Sequence, residues 1–206
     1  MKYLYSLMFV MILCITADSK NSILSLSAVN MNPGYILNYD EISYNTNWYC
    51  AEQQESITAS STLKDSAKST YNAGNIHDGK LETAWVEGKN DQGIGESITI
   101  SLTAASPKFE NLTIAGFQIA DGYVKDKNLY MLNSRVKSMT MYVDNKPFAD
   151  IKLNDFYGFQ RIEFPSIPLP LNKTVTIKFV ITDVYPGNKY SDTSISEIWF
   201  FGGGIL

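Results

Sequence analysis

The sequence predicts an all-β protein, a sandwich or barrel of short strands, on three observations. Tyr (13), Phe (10) and Trp (3) are plentiful while only 18% of the 206 residues are charged. Apolar and polar residues alternate at a period of two in one segment after another. Turn residues separate those segments, and no stretch longer than a turn or two carries helical spacing. The 45% hydrophobic content is that of a globular chain rather than a disordered one.

The N-terminus, MKYLYSLMFVMILCITA, places Lys2 before an apolar run and a polar DSKNS stretch after it. The run falls short of the ~20 apolar residues of a membrane span, so residues 1–17 read as an export signal. Cleavage after Ala17 is one outcome, with Ile15 large for its position. Acylation at Cys14 is the other, although Met11-Ile12-Leu13 makes a poor lipobox. Without residues 1–17 the chain keeps 16 basic and 21 acidic residues, a net charge of −5, and one cysteine, Cys50. Trp48 and Tyr49 beside Cys50 favour a buried thiol over a nucleophile paired with His77.

Residues 18–54 are polar and aromatic, with a turn at Pro33-Gly34, and read as an arm carrying one or two short strands ahead of a domain over 55–206. In that domain Ile98, Ile100 and Leu102 alternate with Thr99 and Ser101. Leu112 and Ile114 open a further strand whose phase slips at Gly116, so that Phe117 and Ile119 follow, the mark of a bulge. Met139, Met141 and Val143 lead to a turn at Asp144-Asn145-Lys146-Pro147, and Ile151 and Leu153 return from it. Ile162 with Phe164, then Val175, Ile177, Phe179 and Ile181, make two more strands, and Ile195 to Phe201 close the chain.

Composition also narrows function. A net charge of −4 with no basic stripe argues against nucleic-acid binding. One His and two Cys leave little for a metal hydrolase or a disulfide scaffold. No glycine-rich phosphate loop follows a strand, and no GxSxG elbow exists.

The most informative segment is AGNIHDGKLETAWVEGKNDQGIGE at 73–96. Asp78, Thr83 and loop carbonyls offer the hard oxygens that calcium prefers, with Glu197 as a second carboxylate. Alternatively, Asp78 only braces its own turn. The pattern NxxDGxxxTxW at 75–85, closed by SEIxxFG at 196–202, resembles the discoidin superfamily, which includes the coagulation-factor type C domains and the galactose-binding jelly rolls. ASSTL at 59–63, TAWVEG at 83–88, GIGE at 93–96, GYVKDKNLYMLNSRVK at 122–137, GFQ at 158–160 and DVYPGNKYSDTSISEI at 183–198 are similar to one branch. That branch is the translocation domain at the N-terminus of streptococcal NAD glycohydrolase, also found in bacterial surface and exported proteins.

The resemblance implies a discoidin-like jelly-roll β-sandwich with ligand loops at one end. It implies a structural calcium ion in many members, with Asp78, Thr83 and Glu197 at the matching positions and carbonyls near Ile76 and Lys80 completing the shell. It also implies carbohydrate binding, in which aromatic rings stack on sugar C–H faces beside planar polar groups. Suitable groups are Trp85, Glu87 and Glu96, then Tyr123, Asn133 and Arg135, then Tyr185 and Tyr190. Trp85 reads equally as a core residue, Tyr185 as a turn anchor, and Arg135 as the partner of Asp121, Asp126 or Glu96. Asp121 stands where relatives often have Asn.

The expected function is therefore a non-catalytic, exported module that binds a glycan or glycoconjugate at a cell surface. A protein- or membrane-binding adhesion module is the alternative, with Met131 and Leu132 as candidate apolar tips. A glycoside hydrolase would have to use Glu87 and Glu96 as its carboxylate pair.

Overall fold

The computed structural model describes residues 22–31, 53–66, 69–104 and 110–205. Residues 1–17 with Cys14, and Cys50, lie outside them. Eleven strands form in chain order: β1 (Leu24–Ser27), β2 (Val29–Asn30), β3 (Gln53–Ala59), β4 (Trp85–Val86), β5 (Ser97–Ala104), β6 (Glu110–Asp121), β7 (Ser134–Val143), β8 (Lys146–Lys152), β9 (Phe159–Pro168), β10 (Thr174–Tyr185) and β11 (Thr193–Ile205). A 3-10 turn, Ala73–His77, precedes β4, and one short helix, α1 (Lys127–Leu132), precedes β7.

Hydrogen bonding runs in the order β2-β9-β6-β11-β7-β10-β5-β3, with β8 and β1 beyond β7 and β4 on β11. The connection between β11 and β7 is only Thr193 and Ser194 running parallel to Ser134 and Arg135. The ladder therefore folds there into two sheets, one built on β9, β6 and β11, the other on β3, β5, β10, β7 and β8. The two pack face to face as a β-sandwich. Phe117 of β6 lies 5.0 Å from Phe179 of β10 between ring centroids, Phe179 stacks on Phe200 of β11, and Phe148 of β8 meets Phe164 of β9. Each such aromatic pair adds about 1 kcal/mol to the area it buries.

Every alternation in the sequence has a buried face here. Ile98, Ile100 and Leu102, and likewise Val175, Ile177, Phe179 and Ile181, all point into the core. The slip at Gly116 is a register shift between β6 and β9. It lets Leu112 and Ile114 before it, and Phe117 and Ile119 after it, all face inward. A Cβ at Gly116 would stand 2.2 Å from Phe201 Cζ and 2.3 Å from the Ile162 carbonyl oxygen, so the bulge has room only for glycine. The β7–β8 hairpin turns on Asp144 and Asn145, both with positive φ (48° and 63°), the backbone that Asn and Asp tolerate best.

β1 and β2 belong to the segment read as an arm. β1 pairs in parallel with β8 of one sheet, and β2 pairs with β9 of the other. Leu24 and Leu26 pack on the main core, and Ala28 between the two strands is buried in it.

Candidate functional site

The loops at one end of the sandwich are held by committed polar contacts. Asn75 of the 3-10 turn is buried, and its amide donates to the carbonyls of Thr70 and Ala84. Gly122 (φ 82°) turns the chain off β6, and its carbonyl accepts from the Ser196 hydroxyl, which in turn accepts from Val124 N–H. Asp126 caps α1 by accepting from Leu129 N–H at 2.8 Å. The 186–192 loop lies against the end of α1: Asn188 N–H donates to Met131 O, and Lys189 and Tyr190 N–H to Leu132 O. Gly187 lets that approach happen, since a Cβ there would sit 2.4 Å from Leu132 O.

Two adjoining hollows open among these loops and share Tyr123. One, of about 310 Å³, has Tyr71, Tyr123, Tyr190 and Leu129 on its walls, with Asn133 and Asp192 as polar groups. Its floor is the small cluster of Ala84, Val86 and Tyr123, against which Leu63, Tyr71 and Leu129 pack. The other, of about 430 Å³, is polar, with Ser66, Ser69, Thr70, Glu82, Thr83 and Lys125 around it. The Tyr123 hydroxyl donates to Glu82 O at 3.3 Å, and burial raises its pKa. Tyr190 is 40% exposed, with Lys189 Nζ over its ring at 4.9 Å from the centroid.

Of the residues expected to meet a ligand, Tyr123, Asn133 and Tyr190 line one hollow. The others line neither hollow and are engaged within the fold. Trp85 has no exposed surface, and its indole N–H donates to Ser61 O at 3.0 Å. Glu87 is fully buried, accepting from Lys89 N–H at 2.6 Å and Thr193 N–H at 3.3 Å, and burial raises its pKa. Such a carboxylate cannot reach a glycosidic bond in this conformation. Glu96 accepts from the Ser60 and Ser61 hydroxyls and pairs loosely with Lys89 at 3.9 Å. Burial would raise its pKa, but those hydroxyls and Lys89 outweigh burial and lower it. The Tyr185 hydroxyl donates to Leu153 O at 3.1 Å.

Arg135 is 3% exposed and takes none of the three partners weighed from the sequence. It binds Asp155 through Nε at 3.2 Å and Nη2 at 2.8 Å, and Nη1 donates to the carbonyls of Asn133 and Pro186. Asp121 is buried instead under Val136 N–H, which donates to its Oδ1 at 3.0 Å, while Oδ2 has no hydrogen-bond partner. Burial pushes its pKa well up.

A cluster of oxygens adjoins the polar hollow. Lys80 N–H donates to Asp78 Oδ1 at 2.9 Å and to Glu197 Oε1 at 2.8 Å. The Thr83 hydroxyl lies 2.9 Å from both Asp78 carboxylate oxygens and from Lys80 O. Glu197 is 1% exposed, and its Oε2 has no hydrogen-bond partner. Burial, with the Asp78 charge adding to it, pushes the Glu197 pKa up to about 8. Among the described residues no group of three or more His, Cys, Asp and Glu converges on a point, so hydroxyl and backbone oxygens have to supply the rest of any shell. His77 Nδ1 faces Ile198 O at 2.9 Å, and the ring packs on Trp199.

Sequence reasoning missed Tyr71, Leu129, Asp192 and Asp155. Asp192 was legible as the acid before the closing strand. Tyr71 carries no motif; the contact of its carbonyl with Val86 N–H and its packing on the Ala84, Val86 and Tyr123 cluster bring it to the hollow.

Residues 48–201 match the NAD glycohydrolase translocation F5/8 type C domain family. No curated protein matches the chain. In fold it is similar to the CBM32-1, CBM32-2 and M60 catalytic domains of ZmpB from Clostridium perfringens, with a TM-score of 0.60 and 12% identity over 91% of this chain and 17% of that one. The CBM32-1 and CBM32-2 domains of the same protein in complex with GalNAc align with a TM-score of 0.58 and 12% identity, over 88% of this chain and 40% of the other. The chain thus spans less than half the length of either structure. Among the described residues no helix is long and apolar enough to cross a membrane.

Proposed function

The chain belongs to the family of NAD glycohydrolase translocation F5/8 type C domains, and we propose that it is a non-catalytic, exported glycan-binding module acting at a cell surface. The observation that carries this reading is the aromatic hollow: Tyr71, Tyr123 and Tyr190 around Asn133 and Asp192. Sugars need such apolar faces beside acceptors and donors already fixed in place. The GalNAc complex of a similarly folded CBM32 pair supports it. Residues 1–17 would direct export, and 18–54 would form an arm whose strands β1 and β2 lie on the domain of 55–206.

A calcium ion fits beside the site. The buried Glu197 Oε2 has no hydrogen-bond partner, and a cation that displaces the proton held there would satisfy it. Asp78, Thr83 and Glu197, with the carbonyl of Lys80, offer only hard oxygens. These residues would hold the ion, whose contribution is structural: it neutralises two carboxylates and fixes the 78–83 turn. The adhesion alternative is favoured by one observation, the 38% exposure of Met131 on α1.

The test is a glycan array read with calcium and with chelator. Retention of a glycan that falls away when Tyr190 is changed to Ala supports the reading. Folded protein that retains no glycan overturns it, and binding to glycan-free protein or liposomes that is lost in Met131→Ser favours the alternative.

A further inference from the structure

The aromatic hollow contains one charged side chain, Asp192. Its backbone is fixed, with the carbonyl accepting from Ser134 N–H at 3.0 Å. Its carboxylate is half-buried, and burial raises its pKa. Among the described residues no ion pair includes it. The buried Glu87 lies close enough for the Asp192 charge to raise the Glu87 pKa, so this neighbour of Asp192 is a second acid. Lys189 stands outside, over one face of the Tyr190 ring. Lys125 lines the neighbouring polar hollow together with the opposite charge of Glu82.

Resting on the glycan-binding reading above, we propose that Asp192 makes this hollow selective for uncharged pyranose sugars and turns away acidic ones. A carboxylate is an acceptor only, with two oxygens and about four lone-pair sites. Adjacent hydroxyls on a sugar are a matching pair of donors, and the charge strengthens both bonds. The apolar face of the same ring can rest on the exposed part of Tyr190. A uronate or sialate carboxylate brought to the same place meets a like charge in a half-buried setting with no cation between them, and such repulsion is little relieved by solvent. Asp192 is then a specificity-determining residue of the site.

The experiment uses the full chain and three probes: an oligosaccharide ending in a neutral hexose or N-acetylhexosamine, the same oligosaccharide capped with sialic acid, and one ending in a uronate. Titration calorimetry of the wild-type protein is expected to show the acidic probes bound at least about tenfold more weakly. That gap should narrow as salt rises from about 0.05 to 0.5 M. Asp192→Asn is expected to lose about tenfold in affinity for the neutral probe while bringing the acidic probes to within about threefold of it. The wild-type comparison alone decides even if the variant folds poorly. Equal or tighter binding of the acidic probes overturns the inference while leaving the glycan reading intact, as does an Asp192→Asn protein with an unchanged profile. Failure of the folded wild-type protein to bind any of the three, or anything on a broad array, removes the glycan reading and this inference with it.

Discussion

Arg135 shows why residue types in a family motif do not by themselves reveal a site. Sequence places it in the segment that faces a ligand, and its chemistry suits a sugar. In the fold its guanidinium is spent on Asp155 and two carbonyls. Trp85 and Glu87 behave the same way, since a motif fixes spacing along the chain while exposure depends on what packs over it. The pair with Asp155 makes a pH-dependent contribution. Burial would raise the Asp155 pKa, but the Arg135 and Tyr130 hydrogen bonds outweigh burial and lower it below 3.8. A group depressed in the folded state stabilises the fold above its unfolded pKa and loses that contribution as pH falls through the folded one. Asp155→Ala should therefore cost about 2 kcal/mol at pH 7, less than a fully buried pair because Asp155 is 41% exposed. The difference from wild type should shrink below about pH 4, where the unfolded carboxyl titrates. Urea titrations at pH 7 and pH 3 measure it, and a penalty equal at both would show that the charge pair contributes nothing.

At the scale of elements the sequence was most legible, because a half-buried strand writes its own period. The strands from β5 to β11 follow the alternations that mark them, and the slip at Gly116 foretold a bulge. β1 and β2 were harder, since four residues of LSLS and two of VN carry too little pattern to say which sheet they join. The register of β11 on β7 was invisible, because two paired residues leave no periodic signal. The β6 bulge makes a direct prediction. Gly116→Ala forces a methyl onto the Ile162 backbone oxygen and the Phe201 ring, so either the bulge or the sheet must shift. It should destabilise by about 3 kcal/mol, the upper range of overpacking. Gly203→Ala, on the neighbouring strand, meets nothing nearer than Thr113 Oγ1 at 3.6 Å and should change stability by less than about 1 kcal/mol. Denaturant midpoints of the two proteins compare them, and equal effects would mean that the bulge is not a constraint.

For the whole molecule, the question is what ties the loop end to a sandwich held mainly by its core of aliphatic and Phe side chains. Lys80 N–H bridges Asp78 in the 78–83 turn and Glu197 in the last strand. Glu197 pairs with Ala120 of β6, so this one donor links segments more than a hundred residues apart. It leaves Glu197 buried beside the Asp78 charge, with its pKa pushed up to about 8, and its Oε2 without a hydrogen-bond partner. A calcium ion bound only to the folded chain would remove both costs. At about a hundred times its Kd it would add about 2.7 kcal/mol, which for a domain of this size raises Tm by about 5–10 °C. Chelator should reverse the rise, Asp78→Asn should abolish it, and magnesium, which demands a smaller and more regular shell, should give little of it. Thr83 belongs to both the oxygen cluster and the polar hollow, so the ion and the ligand loops share a segment. Chelator should then weaken glycan binding as well as lower Tm. A Tm unmoved by millimolar calcium would mean that the Lys80 and Thr83 hydrogen bonds alone hold the turn, and glycan affinity should then be indifferent to chelator.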